Sequence, residues 1–316
     1  MKTTLPERSL IIKERLDNIV KEILAVAKDK LAMIILFGSY ARGTWVQDVY
    51  KEGPHTLSYR SDLDILLVLR KNKYGGYTAS RMKHAIEKRL ERKGLAFSFM
   101  KLPPYPSIEE VREDIKYPGV SLISEPIDRF NKELERKQYF FTDIKKEGIL
   151  LYDNGEFELA EARHMPWSEV RQIAQDYYDY WFESGSEFFI DTHHALERDS
   201  FNKAAFYLHQ ATESFYTAIL LVFTGDKRKE HDILELAKTA RSHHHELFKI
   251  FPYATPEQVE CFELLRKAYI EARYNKHYRI SKEQLLYLIE RVEKLQKMTQ
   301  TICLEYINRD EGQALR

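Results

Sequence analysis

The sequence predicts an α+β protein in which a mixed α/β half is followed by an all-helical half. In the first half, two continuous apolar runs, 31–37 and 63–69, alternate with amphipathic helical patterns, which is typical of buried strands between helices. In the second half no segment has a strand period, and apolar residues recur at spacings of three and four. The predicted division is a domain over 1–152, a linker over 153–166 and a bundle of about five helices over 167–316.

The other elements predicted for the first half follow from periodicity and capping residues. They are helices over 9–30, 79–93 and 107–116, and strands over 95–102, 120–123 and 149–152. Residues 38–60 are polar with scattered aromatic side chains and have no clear period. The turn sequence of residues 153–155 ends this half, and Pro166 fits the first turn of the next helix.

Composition excludes several classes of protein. The 316 residues contain 49 basic and 49 acidic side chains, 44% hydrophobic residues and two cysteines, Cys261 and Cys303. This balance is typical of globular domains and argues against disorder. The cysteines fit neither a disulfide framework nor a cysteine-based zinc site, which favours a reducing, cytoplasmic location. No apolar run is long enough to span a bilayer, so no membrane partner is expected.

Two short motifs beside the predicted strands contain the candidate metal-binding and phosphate-binding residues. Gly38 and Ser39 follow the first strand directly, and Asp62 and Asp64 open the second. Residues i and i+2 of a strand face the same side, so the two carboxylates are expected side by side. Mg²⁺ binds such oxygens together with substrate phosphates. Gly38 allows close approach of a phosphate, Ser39 can donate to it, and Arg42 can neutralise its charge.

The segments Phe37–Thr44 (FGSYARGT) and Ser61–Val68 (SDLDILLV) resemble the two signature elements of minimal nucleotidyltransferases of the polymerase β superfamily. The resemblance covers about residues 30–152. It implies transfer of a nucleoside monophosphate, with AMP as the expected group, from a nucleoside triphosphate to a hydroxyl acceptor, with release of pyrophosphate. It also implies that the two aspartates hold two Mg²⁺ ions and that the Gly-Ser pair holds the triphosphate.

The first half departs from this family in two ways. The loop between the motifs is longer than in compact members, and its apparent insertion, Trp45–Tyr59, is expected to shape a substrate pocket. Active members usually add a third carboxylate from a later strand, where this sequence has Ser98. Glu125, just past the fourth predicted strand, and Asp143 are the substitutes, and the sequence does not rank them. If the third acid is lost, the alternative is a regulatory module that binds nucleotide without catalysis.

The second half resembles a HEPN domain over about residues 167–307. The resemblance depends on three segments: Asn202–Glu213, His231–Ile233 and Ala272–Tyr278. Such domains often accompany minimal nucleotidyltransferases, and the resemblance implies nucleotide binding and a homodimer formed through the helices. His209 and Glu213 are expected to share a helix face as an ordinary polar pair.

Arg273 and His277 are expected on one face of a single helix, at i and i+4. Some HEPN domains are metal-independent ribonucleases in which an arginine stabilises the phosphorane and a histidine further along acts as acid or base. The spacing here is shorter than that pattern, so a structural or nucleotide-contact role is preferred for Arg273. A ribonuclease of a toxin–antitoxin system is the alternative. Because related pairs transfer AMP to a HEPN tyrosine, Tyr274 and Tyr278 are candidate acceptors; a small molecule such as an aminoglycoside and an RNA end are others.

Overall fold

The computed structural model describes most of the chain, namely residues 1–52, 55–70, 75–95, 118–162, 165–226 and 231–310. The chain divides into two units, Met1–Met165 and Pro166–Arg316. The first is mixed α/β and the second helical, which confirms the predicted fold class. Apart from Leu95, the predicted strand over 95–102, with Ser98, and the predicted helix over 107–116 lie outside the described residues.

Strands β1 and β4 of the first unit have the predicted bounds, because an apolar run buried on both faces marks its own ends. The described strands are β1 (Leu31–Phe37), β2 (Gln47–Glu52), β3 (His55–Arg60), β4 (Leu63–Leu69), β5 (Val120–Pro126) and β6 (Ile149–Asp153). The described α-helices are α1 (Lys13–Ala27), α2 (Gly38–Arg42), α3 (Gly75–Arg92), α4 (Ile127–Glu135) and α5 (Tyr139–Glu147). Short 3-10 helices occupy Glu7–Ile12 and Lys28–Lys30.

Four of these strands form one sheet in the order β5-β4-β1-β6. β1 is antiparallel to β4 and β6, whereas β5 is parallel to β4. One face of the sheet packs against α1 and α3, and the other packs against α4 and α5. The register places Asp64 of β4 beside Phe37 of β1 on one side and Ser121 of β5 on the other. The end of β1 and the start of β4 and β5 therefore meet at one edge.

Residues 38–60, which have no clear sequence period, contain α2 and an antiparallel hairpin of β2 and β3. The hairpin contains most of the predicted insertion Trp45–Tyr59. Two hydrogen bonds of 2.9 Å close its base: the N–H of Ser61 donates to the carbonyl of Val46, and the N–H of Val46 donates to Oγ of Ser61. Periodicity could not reveal the hairpin because its strands mix charged, aromatic and β-branched residues without alternation.

The second unit contains five described α-helices, as predicted. They are α6 (Trp167–Glu197), α7 (Phe201–Thr224), α8 (Ile233–Arg241), α9 (Pro256–Tyr274) and α10 (Lys282–Ile307), with a 3-10 helix at His245–Lys249. These helices share one apolar core, and α7 is buried along most of its length. Among the described residues, no helix is long and apolar enough to cross a membrane.

Gly185 of α6 packs directly against Phe215 of α7. A Cβ atom at this position would stand 2.7 Å from Cε1 of Phe215, a ring that is fully buried. Glycine to alanine inside a helix normally stabilises a protein by about 1 kcal/mol. Here we expect Gly185→Ala to lower the free energy of unfolding by roughly 1–3 kcal/mol, because the buried ring must move. Urea unfolding measures the change, and the loss should shrink in a Phe215→Leu background, where those ring atoms are missing.

Candidate functional site

Gly38 begins α2 directly after β1 and lies against Asp64. Its φ of +74° is in the left-handed region that glycine adopts without strain. A Cβ atom on Gly38 would stand 2.3 Å from Oδ2 of Asp64, so the missing side chain leaves the space that this carboxylate uses. Asp64 is only 3% exposed. The two sequence motifs therefore meet in space.

Asp62 lies against a second glycine, Gly119, which directly precedes β5. A Cβ atom on Gly119 would stand 2.3 Å from Oδ1 of Asp62. The carbonyl of Gly119 accepts a hydrogen bond of 2.8 Å from the N–H of Leu63, which fixes the start of β5 beside the start of β4. Each aspartate thus lies against a glycine backbone. Sequence reasoning missed Gly119, although a glycine directly before a predicted strand was the available signal.

Ser39 places a buried hydroxyl at the same corner. The residue is 8% exposed, and its Oγ has no hydrogen-bond partner among the described residues. A buried polar group left in this state costs about 1–3 kcal/mol. A ligand oxygen that accepts a hydrogen bond from Oγ would recover this energy. The missing partner of the Ser39 hydroxyl therefore points to a ligand beside Gly38.

Arg42 and two acids of α5 form a charged cluster at the end of α2. Nη1 of Arg42 lies 3.5 Å from Oε2 of Glu147. Asp143 precedes Glu147 by one helical turn, and burial of its carboxyl group, followed by the charge of Glu147, raises the pKa of Asp143 to about 6. The residue nevertheless keeps an exposed surface. Arg42 thus shares its charge with an acid, which limits its role as a counter-charge for phosphate.

Glu125 lies inside β5 rather than after it, because the strand continues to Pro126. Both oxygens of its carboxylate accept hydrogen bonds from Nη1 of Arg129, at 3.1 and 2.9 Å. The neighbour of Glu125 in β4 is Val68, which lies four residues after Asp64. At ~3.3 Å per residue, Glu125 is therefore about 13 Å from Asp64 along the strand direction. Within the described residues, no group of three or more His, Cys, Asp or Glu side chains is arranged to hold a metal.

An aromatic and cationic cluster, missed in the sequence, lies between α2 and the hairpin. The rings of Tyr40 and Trp45 stack with centroids 5.3 Å apart, and the guanidinium groups of Arg8 and Arg60 lie 4.7 and 5.2 Å from the Trp45 centroid. Nε of Arg60 also donates to the hydroxyl of Tyr40 at 2.9 Å. Burial, more than any charge nearby, raises the pKa of Tyr40. These contacts fix the segment that leads to the two aspartates.

The prediction that Arg273 and His277 share a face of one helix is wrong. Helix α9 ends at Tyr274, and Asn275 is its C-cap with extended backbone. Oδ1 of Asn275 accepts a hydrogen bond of 2.9 Å from the N–H of His277. Asparagine favours such turns over continuation of a helix, which explains why the helical pattern stops before His277.

Arg273 lies in the last turn of α9 and is exposed. Its guanidinium carbon is 4.8 Å from the ring centroid of Phe206, 4.7 Å from that of Tyr269 and 5.0 Å from that of Tyr274. Nε donates to the carbonyl of Tyr269 at 2.7 Å. Within the described part of the chain it has no carboxylate partner, so its positive charge is available to a ligand.

His209 and Glu213, predicted on one face of a helix, lie in α7 with Nε2 and Oε2 3.7 Å apart. The structure adds His231, whose Nδ1 is 2.8 Å from Oε1 of Glu213. The ring of Tyr269 stacks against both histidines, with centroids 5.4 Å from His209 and 5.7 Å from His231. Burial alone would raise the pKa of Glu213, but the two imidazoles outweigh it and hold this pKa below its ordinary value.

Comparison with known proteins identifies the helical region. The HEPN domain family model matches residues 178–302, from within α6 to within α10. No curated protein matches the chain. The match includes Arg273 and the Glu213 cluster and lies wholly beyond the first unit, so the nucleotidyltransferase resemblance of that unit stays a prediction. The chain carries a HEPN domain in its helical unit.

Proposed function

We propose that the first unit is a Mg²⁺-dependent nucleotidyltransferase that transfers a nucleoside monophosphate to a hydroxyl acceptor. The proposal is supported above all by the corner where Gly38 leaves space for the Asp64 carboxylate and Ser39 holds a buried hydroxyl with no partner among the described residues. An anion with several oxygens, such as a triphosphate, suits the hydroxyl. A cation suits the carboxylates.

Magnesium fits the donor set of this corner. Mg²⁺ in phosphate-transfer sites is typically bound by one or two carboxylates, with the remaining positions filled by phosphate oxygens and water. Asp62 and Asp64 supply that number, so the lack of a three-residue cluster within the described chain is no obstacle. When bound, Mg²⁺ would neutralise charge on the transferred phosphoryl group and the leaving pyrophosphate.

The chain's own residues act by positioning. Ser39 would donate its hydroxyl hydrogen to a phosphate oxygen, and Gly38 would let the triphosphate approach the backbone. Of the two predicted third acids we prefer Asp143, because its raised pKa of about 6 suits a group that accepts a proton near neutral pH. Glu125, by contrast, forms a salt bridge with Arg129.

The test is release of pyrophosphate from each of the four nucleoside triphosphates, labelled at the α-phosphate, with Mg²⁺ and with candidate acceptors. Transfer of label to the protein, to a small molecule or to an RNA end supports the proposal and names the acceptor. Nucleotide binding without release with any acceptor would favour the non-catalytic regulatory module instead.

The two candidate acceptor tyrosines of the HEPN domain differ in exposure. Tyr274 is 75% exposed, whereas Tyr278 is 3% exposed and donates its hydroxyl hydrogen to the carbonyl of Leu264 at 3.0 Å. Burial also raises the pKa of Tyr278. If the protein modifies its own tyrosine, we expect Tyr274→Phe to remove the label and Tyr278→Phe to retain it. Peptide mapping of the labelled protein checks this, and label on Tyr278 would contradict it.

A second candidate function belongs to the HEPN domain itself. A metal-independent ribonuclease is favoured by the exposed guanidinium of Arg273, which within the described residues has no carboxylate partner and can bind a phosphodiester. RNA cleavage in the presence of EDTA, lost in Arg273→Ala, tests it independently of the Mg²⁺-dependent reaction. A homodimer through the HEPN helices stays a prediction; the large apolar side chains of Ile270 and Leu286 are exposed on α9 and α10.

A further inference from the structure

The hydrogen-bond partners of His209 fix where its protons lie. Nδ1 is 3.0 Å from the carbonyl of Leu265, which can only accept, so Nδ1 carries a hydrogen. Nε2 therefore faces Oε2 of Glu213 across 3.7 Å, and within the described residues neither atom has a hydrogen-bond partner. His209 is 1% exposed. The two imidazoles hold the pKa of Glu213 below its ordinary value, so the cluster holds this carboxylate in place and charged.

The Glu213 carboxylate in turn sets the tautomer of His231. An ionised carboxylate only accepts, so Nδ1 of His231, 2.8 Å from Oε1, is the donor. In the neutral ring this leaves the lone pair on Nε2, and the His231 side chain is 63% exposed. The main chain beside it is also fixed, because Asp232 accepts from Nε of Arg266 at 2.8 Å and caps α8 through the N–H of Leu234. His231 is thus an oriented imidazole with a free basic nitrogen.

The Tyr269 ring contacts both this imidazole and the Arg273 guanidinium. The His231 ring is parallel to the Tyr269 ring within 5° and 5.7 Å away, and the Arg273 guanidinium carbon is 4.7 Å from the same ring. A base and an unpaired cation on one aromatic side chain can bind one phosphodiester, with the cation on the phosphate oxygens and the base on a neighbouring hydroxyl. His277, by contrast, lies beyond the helix on the other side of Asn275 in sequence.

We propose that His231, and not His277, is the general base of the HEPN ribonuclease, with Glu213 and His209 as positioning residues; this rests on the second candidate function. Nε2 of His231 takes the proton of an RNA 2′-hydroxyl as O2′ bonds to phosphorus. The bond from phosphorus to O5′ breaks, and O5′ takes a proton from water. The products are a 2′,3′-cyclic phosphate and a 5′-hydroxyl, and Glu213 stabilises the imidazolium that forms.

Cleavage of a single-stranded RNA by the full-length protein in EDTA tests this assignment. We expect His231→Ala to lower kcat by ~10²–10⁴-fold, the usual contribution of a general base. His277→Ala and His194→Ala should stay within about twofold, since this mechanism gives them no part. His194 is the matched control, because it is 58% exposed and lies 3.9 Å from an acid, Asp191.

The positioning role of Glu213 needs a readout other than rate. Glu213→Gln keeps an oxygen for His231 and offers an N–H to Nε2 of His209, so it should fold. Among the described residues, the charged or titratable groups around His231 are Glu213 and His209 on α7, Asp232 before α8, and Arg266 and Arg273 on α9. Loss of the nearest negative charge should move the acidic limb of the pH–rate profile of kcat to lower pH, whereas a merely structural role would leave it in place.

Nitrogen-15 NMR of histidine-labelled protein gives a second, independent measurement. We expect His231 to carry its hydrogen on Nδ1 in the wild-type protein. A hydrogen on Nε2, or full cleavage activity in His231→Ala, would overturn the assignment while leaving the ribonuclease function intact. If the wild-type protein cleaves no RNA in EDTA, the second candidate function fails, and the assignment fails with it.

Discussion

Asp62→Asn and Asp64→Asn are each expected to abolish nucleotidyl transfer, with a fall on the order of a thousandfold or more in kcat. The physical reason is the loss of charge for a metal whose electrostatic contribution is several kcal/mol, since each ~1.4 kcal/mol is worth a factor of ten in rate. Asparagine keeps the shape of the side chain, so Asp64, 3% exposed beside Gly38, should still fit its space. Release of pyrophosphate is the measurement.

A matched control shows that the effect belongs to the site. Asp17, on α1, is 67% exposed and pairs only with Lys13, at 3.3 Å, among the described residues. Asp17→Asn should leave the fold intact, because exposed pairs of this kind contribute little to stability. The transfer rate should therefore stay unchanged. Urea unfolding of all three variants checks that the fold is intact. Transfer by Asp64→Asn within tenfold of the wild-type rate would contradict the assignment.

Gly38→Ala is expected to lower both stability and transfer. A side chain at φ +74° costs roughly 1–2 kcal/mol by itself. The added Cβ would also stand 2.3 Å from Oδ2 of Asp64 and must displace the carboxylate. Because a displacement of about 1 Å can cost a hundredfold in rate, we expect at least that loss in kcat.

Gly155 provides the control that separates strain from displacement. It has the same φ of +74°, and a Cβ atom there meets nothing within 4 Å. Gly155→Ala should therefore lower the unfolding free energy by the strain alone, roughly 1–2 kcal/mol, and leave transfer unchanged. Equal losses of transfer in the two variants would mean that Gly38 acts only through backbone strain.

The secondary structure of the sheet was largely predictable, whereas its contacts were not. The bounds of β1 and β4 follow from unbroken apolar runs, because both strands are covered on both faces. The meeting of Gly38 with Asp64 depends on the register of β1 with β4, and the meeting of Asp62 with Gly119 depends on β5 as the parallel neighbour. Neither register follows from local periodicity.

The HEPN domain shows the same division between local and long-range information. The sequence predicts that His209 and Glu213 share a face, because they are four apart on one helix. It did not predict that His231, from the segment before α8, completes the cluster, since that requires the packing of separate helices. His277 was misplaced for a local reason, the C-cap at Asn275, which helical spacing alone does not reveal.

Binding of a nucleotide to the first unit tests the central claim most directly, because it needs no knowledge of the acceptor. The measurement is calorimetric titration of the full-length protein with non-hydrolysable α,β-methylene nucleoside triphosphates, in Mg²⁺ and in EDTA. We predict saturable binding of at least one nucleotide that requires Mg²⁺ and is lost in the Asp62→Asn Asp64→Asn double variant. Absence of binding, or binding that survives both EDTA and the double variant, would contradict a metal-nucleotide site at the Gly38–Asp64 corner.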